Sequence, residues 1–283
     1  MATRAIVLAG GGLTGIGWEL GVLLGMQTGG IDVTAWDRIV GTSAGSVVGA
    51  SLGSADGLSR LTSNLGAVEP GALSAHEDSV DRELLARIRE LWYDTADAAT
   101  GPDQVVRAEI GRLASAYLPE REAEFVGVLE RVLPTTEWPA ALMTTAVDAS
   151  DGAFRTFDAD SGVPLAAAVA ASCAVPGVFP PVTVAGRRYI DGGVGSASNA
   201  LLAAGRDLIV VVAPVWPDTP PEHRYFQEIA ALRAAGSRVV EVVLDEAAAG
   251  IFDSDLIDVE EASQAGMVGF PLGVRAAQEI AAA

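Results

Sequence analysis

Short apolar runs alternate with turn residues and longer periodic segments along much of the chain. Residues 4–9 are an apolar run that leads directly into the glycines at 10, 11, 12 and 15, followed by a long apolar segment over 16–27. A second short run at 38–40 enters Gly41-Thr42-Ser43-Ala44-Gly45 and a stretch of small residues over 46–52. Strand, turn and helix repeated in this way predict a parallel sheet. From about 58 to 137 the pattern changes to charged segments of helical period, notably 82–93 and 104–118, ended by Pro119 and Pro134, which predict a helical insertion. Sheet-like sequence returns at 140–147 and 154–157, with Asp148, Asp151 and Gly152 between them as a hairpin turn. The β-branched runs at 208–213 and 239–244 suit central strands covered on both faces. Residues 272–283 read as a short amphipathic or frayed helix, and no repeat or low-complexity linker divides the chain. The expected architecture is therefore α/β over residues 1–283 as one domain: a central, mostly parallel sheet in a three-layer α/β/α arrangement, with the insertion at about 58–137.

Composition narrows the function. With 283 residues, half of them hydrophobic and 19% charged, the chain can bury a large core and is not a disordered segment. Acidic residues outnumber basic ones 37 to 18, a net charge of −19, which repels nucleic-acid phosphates and anionic membrane surfaces. No nucleic-acid partner is expected, and at most transient membrane contact. Every basic residue is Arg, so chemistry that needs a lysine Schiff base or a phosphate-gripping lysine is excluded. The single cysteine, Cys173, can form neither an internal disulfide nor a Cys-rich metal site, and a cytoplasmic location fits it best. The charge-poor stretches at 6–24 and 163–184 are broken by glycines with Glu19, and by Pro164, Pro176, Pro180 and Pro181. Both read as buried pieces of the fold, not as a secretory signal or a membrane span.

Two glycine-rich turns carry the candidate chemistry. Gly41-Thr42-Ser43-Ala44-Gly45 is a G-x-S-x-G run between a strand and a small-residue helix, a context that exposes a serine hydroxyl above a sheet at a helix N-terminus. The bland alternative is a turn that only packs helix on strand. Gly10-Gly11-Gly12-Leu13-Thr14-Gly15 can point several amides at one anion. One candidate ligand is a dinucleotide pyrophosphate, since the run satisfies G-x-G-x-x-G and Asp32 follows Gly12 by 20 residues. That reading would make the protein an oxidoreductase. The other candidate is the oxyanion of an acyl intermediate, which a serine on the neighbouring strand favours. A serine nucleophile needs a base, and the chain offers only His76 and His223 among histidines. A triad of Ser43, Asp191 or Asp218, and His223 ranks behind a direct partner, Asp191, which ends a short run and precedes Gly192-Gly193. An ordinary Asx turn is the competing role for that Asp-Gly pair.

The glycine run, the serine elbow and the Asp-Gly-Gly turn, in that order, resemble the patatin-like acyl hydrolases, and the chain is similar to a bacterial member of the patatin-like phospholipase family over about residues 4–60 and 140–215. A further matching block is Ala171-Ser172-Cys173-Ala174-Val175-Pro176-Gly177-Val178-Phe179-Pro180-Pro181. The resemblance implies a carboxylic ester hydrolase of phospholipase A, lysophospholipase or esterase type, with Ser43 as nucleophile, Asp191 as its base, and Gly10, Gly11 and Gly12 as oxyanion hole. It implies acyl-ester lipid substrates and no cofactor or metal, with the protein peripheral to a membrane at most. One departure is Thr14, where the family usually carries Arg or Lys. The lost charge weakens the field on an oxyanion and motivates a third reading, a catalytically weak lipid- or partner-binding fold.

Overall fold

The computed structural model describes residues 2–68, 82–94, 102–116, 119–252 and 259–282. Its centre is an eight-stranded sheet: β1 (Arg4–Leu8), β2 (Arg38–Gly41), β3 (Leu142–Asp148), β4 (Phe154–Phe157), β5 (Val182–Val184), β6 (Arg187–Asp191), β7 (Leu208–Val212) and β8 (Arg238–Val242). The order is β5-β6-β3-β2-β1-β7-β8, with β4 also paired to β3. Strands β1, β2, β3, β7 and β8 pair in parallel, whereas β4, β5 and β6 pair antiparallel, so the sheet is mixed.

Helices cover both faces, and strand alternation sorts the residues between them. Ile6 and Leu8 of β1 belong to one core with α1 (Gly12–Thr28), α2 (Ala44–Ala50), α3 (Gly57–Gly66), α6 (Glu122–Val132), α7 (Leu165–Ser172), α9 (Glu246–Phe252) and α10 (Val259–Ala281). Ala5 and Val7 face the other way, into a second core with α8 (Arg224–Ala234). A third cluster joins α4 (Arg82–Arg89) and α5 (Gln104–Ala114) to Val147 and Ile190. The helices between residues 57 and 132 are thus shared between different cores, α3 and α6 packing in the first and α4 and α5 in the third.

Helix α1 is apolar around almost its whole circumference because it lies in the first core and also packs along α10. Gly17, Gly21 and Gly25 meet the α10 backbone at Ala262, Gly266 and Phe270, and a Cβ added to Gly21 would stand 2.0 Å from the Gly266 carbonyl oxygen. Two expectations are corrected here. The C-terminal helix begins at Val259, not near 272, and runs through Pro271. The carbonyl that Pro271 leaves without an in-helix donor belongs to Met267, an exposed residue. Strand β8 is an edge strand, not a central one; it reads as central because both its faces are covered, Val239 in one core and Val240 and Val242 in the other.

Register around β3 brings distant residues together. Thr144 pairs with both Gly41 and Phe157, and Ala146 with both Asp191 and Arg155. Each strand residue presents one edge to each neighbour, so β4 occupies one edge of β3 while β2 and β6 share the other. Those two strands meet end to end, both by their C-termini.

Candidate active site

Ser43 sits where β2 gives way to α2, with φ 53° and ψ −118°. A non-glycine residue at positive φ is strained by about 1–3 kcal/mol and needs surroundings that enforce it. Here the crossing chain enforces it: a Cβ on Gly45 would stand 2.0 Å from the Leu8 carbonyl oxygen, and one on Gly41 would stand 2.6 Å from the Cα of Ser46. The Ser43 amide donates to Ser172 Oγ at 2.9 Å, and its carbonyl accepts from Ser46 N at 2.8 Å and from Ser46 Oγ at 2.6 Å.

Asp191 ends β6 and is 2% exposed. Its Oδ1 accepts from the Gly193 amide at 2.6 Å. The Ser43 hydroxyl bears on the same carboxyl, yet falls short of full hydrogen-bond geometry, so that among the described residues Oδ2 is buried without a partner. Burial pushes the carboxyl up to about 7, against the pull of Ser43 and of Gly193 toward the charged form. Gly192 has to be glycine, since a Cβ there would stand 2.1 Å from Thr145 Oγ1.

The segment after α7 ties both halves together. Ser172 takes the Ser43 amide, the Cys173 thiol donates to the Ser43 carbonyl at 3.3 Å, and the Ala174 carbonyl takes the Asp191 amide at 2.9 Å. Burial and the nearby Asp191 charge push the Cys173 thiol well up, outweighing its contacts with Ser46 and Ser43. Such surroundings favour the neutral thiol of this cleft-lining residue. A deeper tie joins Thr42, Thr145 and Asn199: Thr145 donates its hydroxyl hydrogen to Thr42 Oγ1 at 2.9 Å, and Asn199 Nδ2 donates to the same oxygen at 2.9 Å.

The glycine run lies beside the elbow because Leu8 is in register with Gly41. Its three residues divide their work. The Gly10 amide donates to the Ala197 carbonyl at 3.0 Å and is therefore withdrawn from the oxyanion role expected for it. Gly12, at φ 65°, opens α1, and the helix's first bond runs from Gly15 N to the Gly11 carbonyl at 2.7 Å. The amides of Gly11 and Gly12 precede that bond and have no acceptor within the helix. Thr14 is fully buried within α1.

An apolar cleft, open at its mouth, reaches Ser43. Gly12, Leu13 and Ile16 of α1, Ala44 and Val47 of α2, Phe125, Leu129 and Val132 of α6, and Cys173, Val175 and Phe179 line it. Phe125 stacks on Phe179 with ring centroids 4.6 Å apart. Among the described residues no charged side chain lines it, so it suits a hydrocarbon chain.

The rival site residues lie elsewhere or have other work. His76 is outside the described residues. His223 caps α8, its Nδ1 accepting from Tyr225 N at 3.3 Å, and Asp218 is exposed. Asp32 accepts from Thr34 N and Oγ1 in a turn before β2. That is the end of the parallel strands away from the glycine run, whereas a ribose-binding acid belongs at the strand's far end. The sequence reading missed Ser172 and Asn199 as supports of the elbow and the acid turn, and α6 as a wall of the cleft. The apolar spacing of Phe125, Leu129 and Val132 marked a helix face but not what it faced.

Comparison with known proteins places the chain. A family model described as patatin-like phospholipase matches residues 6–204. A search of curated proteins finds no match. Among solved structures, VipD from Legionella pneumophila aligns at 12% identity over 95% of this chain and 67% of its own, with a TM-score of 0.38. The type III effector protein ExoU aligns at 16% identity over 98% of this chain, with a TM-score of 0.41, and the chain spans 53% of ExoU. Those scores are too low to carry weight on function. The family match covers well over half of the 283 residues, and with the elbow, the glycine run and the Asp-Gly-Gly turn in its span, the chain belongs to the patatin-like phospholipases, a family of lipid acyl hydrolases.

Proposed function

We propose that the protein hydrolyses fatty acyl esters through a dyad of Ser43 and Asp191. The observation that carries this reading is the pairing of a strained serine in the wall of an apolar cleft with a buried acid that its hydroxyl bears on. A base with a pKa of about 7 is half ionised at neutral pH, close to the optimum for general-base work. In the first step Asp191 takes the hydroxyl proton as Ser43 Oγ bonds to the ester carbonyl carbon. The negative charge moves to the carbonyl oxygen, toward the amides of Gly11 and Gly12. The proton then passes from Asp191 to the leaving alcohol as the ester C–O bond breaks, leaving an acyl-serine. In the second step Asp191 deprotonates water, which attacks the acyl carbon; the fatty acid leaves and the proton returns to Ser43.

The cleft holds the acyl chain and leaves the alcohol part of the substrate at its open end. The net charge of −19 favours neutral or zwitterionic lipid over anionic surfaces. Among the described residues no helix is long and apolar enough to cross a membrane, and contact with lipid in this reading is peripheral. A fluorophosphonate probe followed by peptide mass spectrometry tests the nucleophile. Labelling is expected at Ser43, with release of p-nitrophenol from medium-chain acyl esters that Ser43→Ala and Asp191→Asn abolish. Wild-type turnover in either variant overturns the mechanism.

A further inference from the structure

Between the facing ends of β2 and β6 lies a buried polar knot that the two-residue chemistry does not use. Thr42 precedes the serine, Gly192 follows the acid, and Thr145 stands on β3 between them. Asn199 reaches this gap from a loop, in a left-handed backbone conformation (φ 51°) that Asn tolerates better than most residues. Its Nδ2 donates to Ser196 O at 2.7 Å and to Thr42 Oγ1 at 2.9 Å, with Gly192 O and Thr145 Oγ1 each at 3.4 Å. Two of these neighbours are carbonyls, which only accept, so the amide's orientation is fixed by chemistry. Asn199 is 7% exposed, and Thr42 and Thr145 are wholly buried.

We infer that Asn199 is a positioning residue that sets the spacing between Ser43 and Asp191 by holding the two strand ends in register, an inference that rests on the dyad reading above. No continuous backbone joins the two ends, because β2 turns away after Gly41 and β6 arrives from the opposite direction. Covalent geometry alone does not fix their separation. Thr145 accepts no Cβ at Gly192, so the acid turn lies directly against it, while Thr145 itself donates to Thr42. Asn199 spans the same gap and extends the knot to Ser196, beside the Ala197 carbonyl that holds Gly10. One amide therefore braces the nucleophile's strand, the acid's turn and the loop that seats the glycine run. Among the described residues, the other titratable group that interacts with Asp191 is Cys173.

Asn199→Ala is measured with a p-nitrophenyl ester for kcat, KM and the pH profile, together with the rate of fluorophosphonate labelling and the melting temperature. A displacement of about 1 Å between reacting groups can cost on the order of a hundredfold, so kcat and labelling are expected to fall about tenfold or more with KM little changed. The acidic limb of the profile should move down as the loosened turn lets water reach the acid. A destabilising change remote from the site, Ile229→Val in α8, should move the melting temperature alone. Folded Asn199→Ala with wild-type kcat and an unmoved acidic limb overturns the inference. Should Asn199→Ala fail to fold, Thr145→Val is measured in its place, with the same direction expected and wild-type values again overturning it. Asp191→Asn in the same panel separates the two ideas: full activity there defeats the dyad itself, whereas its loss beside an unaffected Asn199→Ala defeats only the positioning role.

Discussion

Replacing Asp191 by Asn should cost activity and raise stability, and the second effect has a pH dependence that follows from burial. The fold holds this carboxyl at about 7 instead of 3.8. The native state therefore binds the proton more tightly than the unfolded chain does, and stability contributed by the protonated acid is lost as pH rises from about 4 through about 7. Each pH unit in that window is worth about 1.4 kcal/mol. Between pH 5 and pH 8 the wild type should lose about 3 kcal/mol from this one group, relative to a variant that carries no charge there. Asn keeps an oxygen for the Gly193 amide, so the turn itself survives. For a chain of 283 residues, an unfolding entropy of about 0.6 kcal/mol/K converts that loss to about 4–5 °C. The measurement is a pair of calorimetric or fluorescence melts at several pH values. The variant's advantage in melting temperature should widen by that amount from pH 5 to pH 8. Buried Glu19, whose acidity burial also suppresses, is present in both proteins and cancels in the difference. A gap that stays constant across this pH range would refute the claim that Asp191 is a buried acid with a raised pKa.

Four other outcomes are expected. Ser43→Gly, relieving a φ of 53°, should abolish fluorophosphonate labelling while stabilising the fold by about 1 kcal/mol, read from chemical denaturation. Leu129→Trp in the cleft wall should shift preference toward shorter acyl chains, seen as a drop in kcat/KM for long esters with short ones spared; an unchanged chain-length profile would place the acyl chain elsewhere. Gly21→Val forces a side chain into the Gly266 carbonyl and should destabilise by about 3 kcal/mol or more, whereas Gly66→Ala, with open space around it, should melt close to wild type. Burial alone would raise Asp148, but hydrogen bonds from Arg187 and Ser150 hold it at about 2. The stability it adds is present above about pH 4 and lost as pH falls toward 2, so Asp148→Asn should lower the melting temperature at neutral pH by an amount that disappears in acid.

Local pattern alone determined the parallel strand-turn-helix units and the hairpin of β3 and β4, because those features are written in contiguous residues; it marked Ser43 and Asp191 as candidates, whose roles the family resemblance implies. The G-x-S-x-G run announces a strained elbow through glycines that only a tight crossing requires, and the Asp-Gly-Gly turn announces an acid at a strand end. In-plane sheet order left no such trace. Residues 238–242 look like a central strand since apolar alternation reports what covers a strand's faces, not what pairs with its edges. Local pattern likewise does not show that the C-terminal helix begins at Val259, since its backbone contact with α1 at Gly266 and Phe270 joins segments far apart in the chain. Only the tertiary structure decided that β2 and β6 meet end to end on one edge of β3, which is what brings residues 43 and 191 together. It also diverted the Gly10 amide to Ala197, turned α6 toward the cleft, and set Asn199 in the gap between the strand ends. Each of these depends on which distant segments touch, and a single chain read residue by residue carries periodicity and turn chemistry but no record of such contacts.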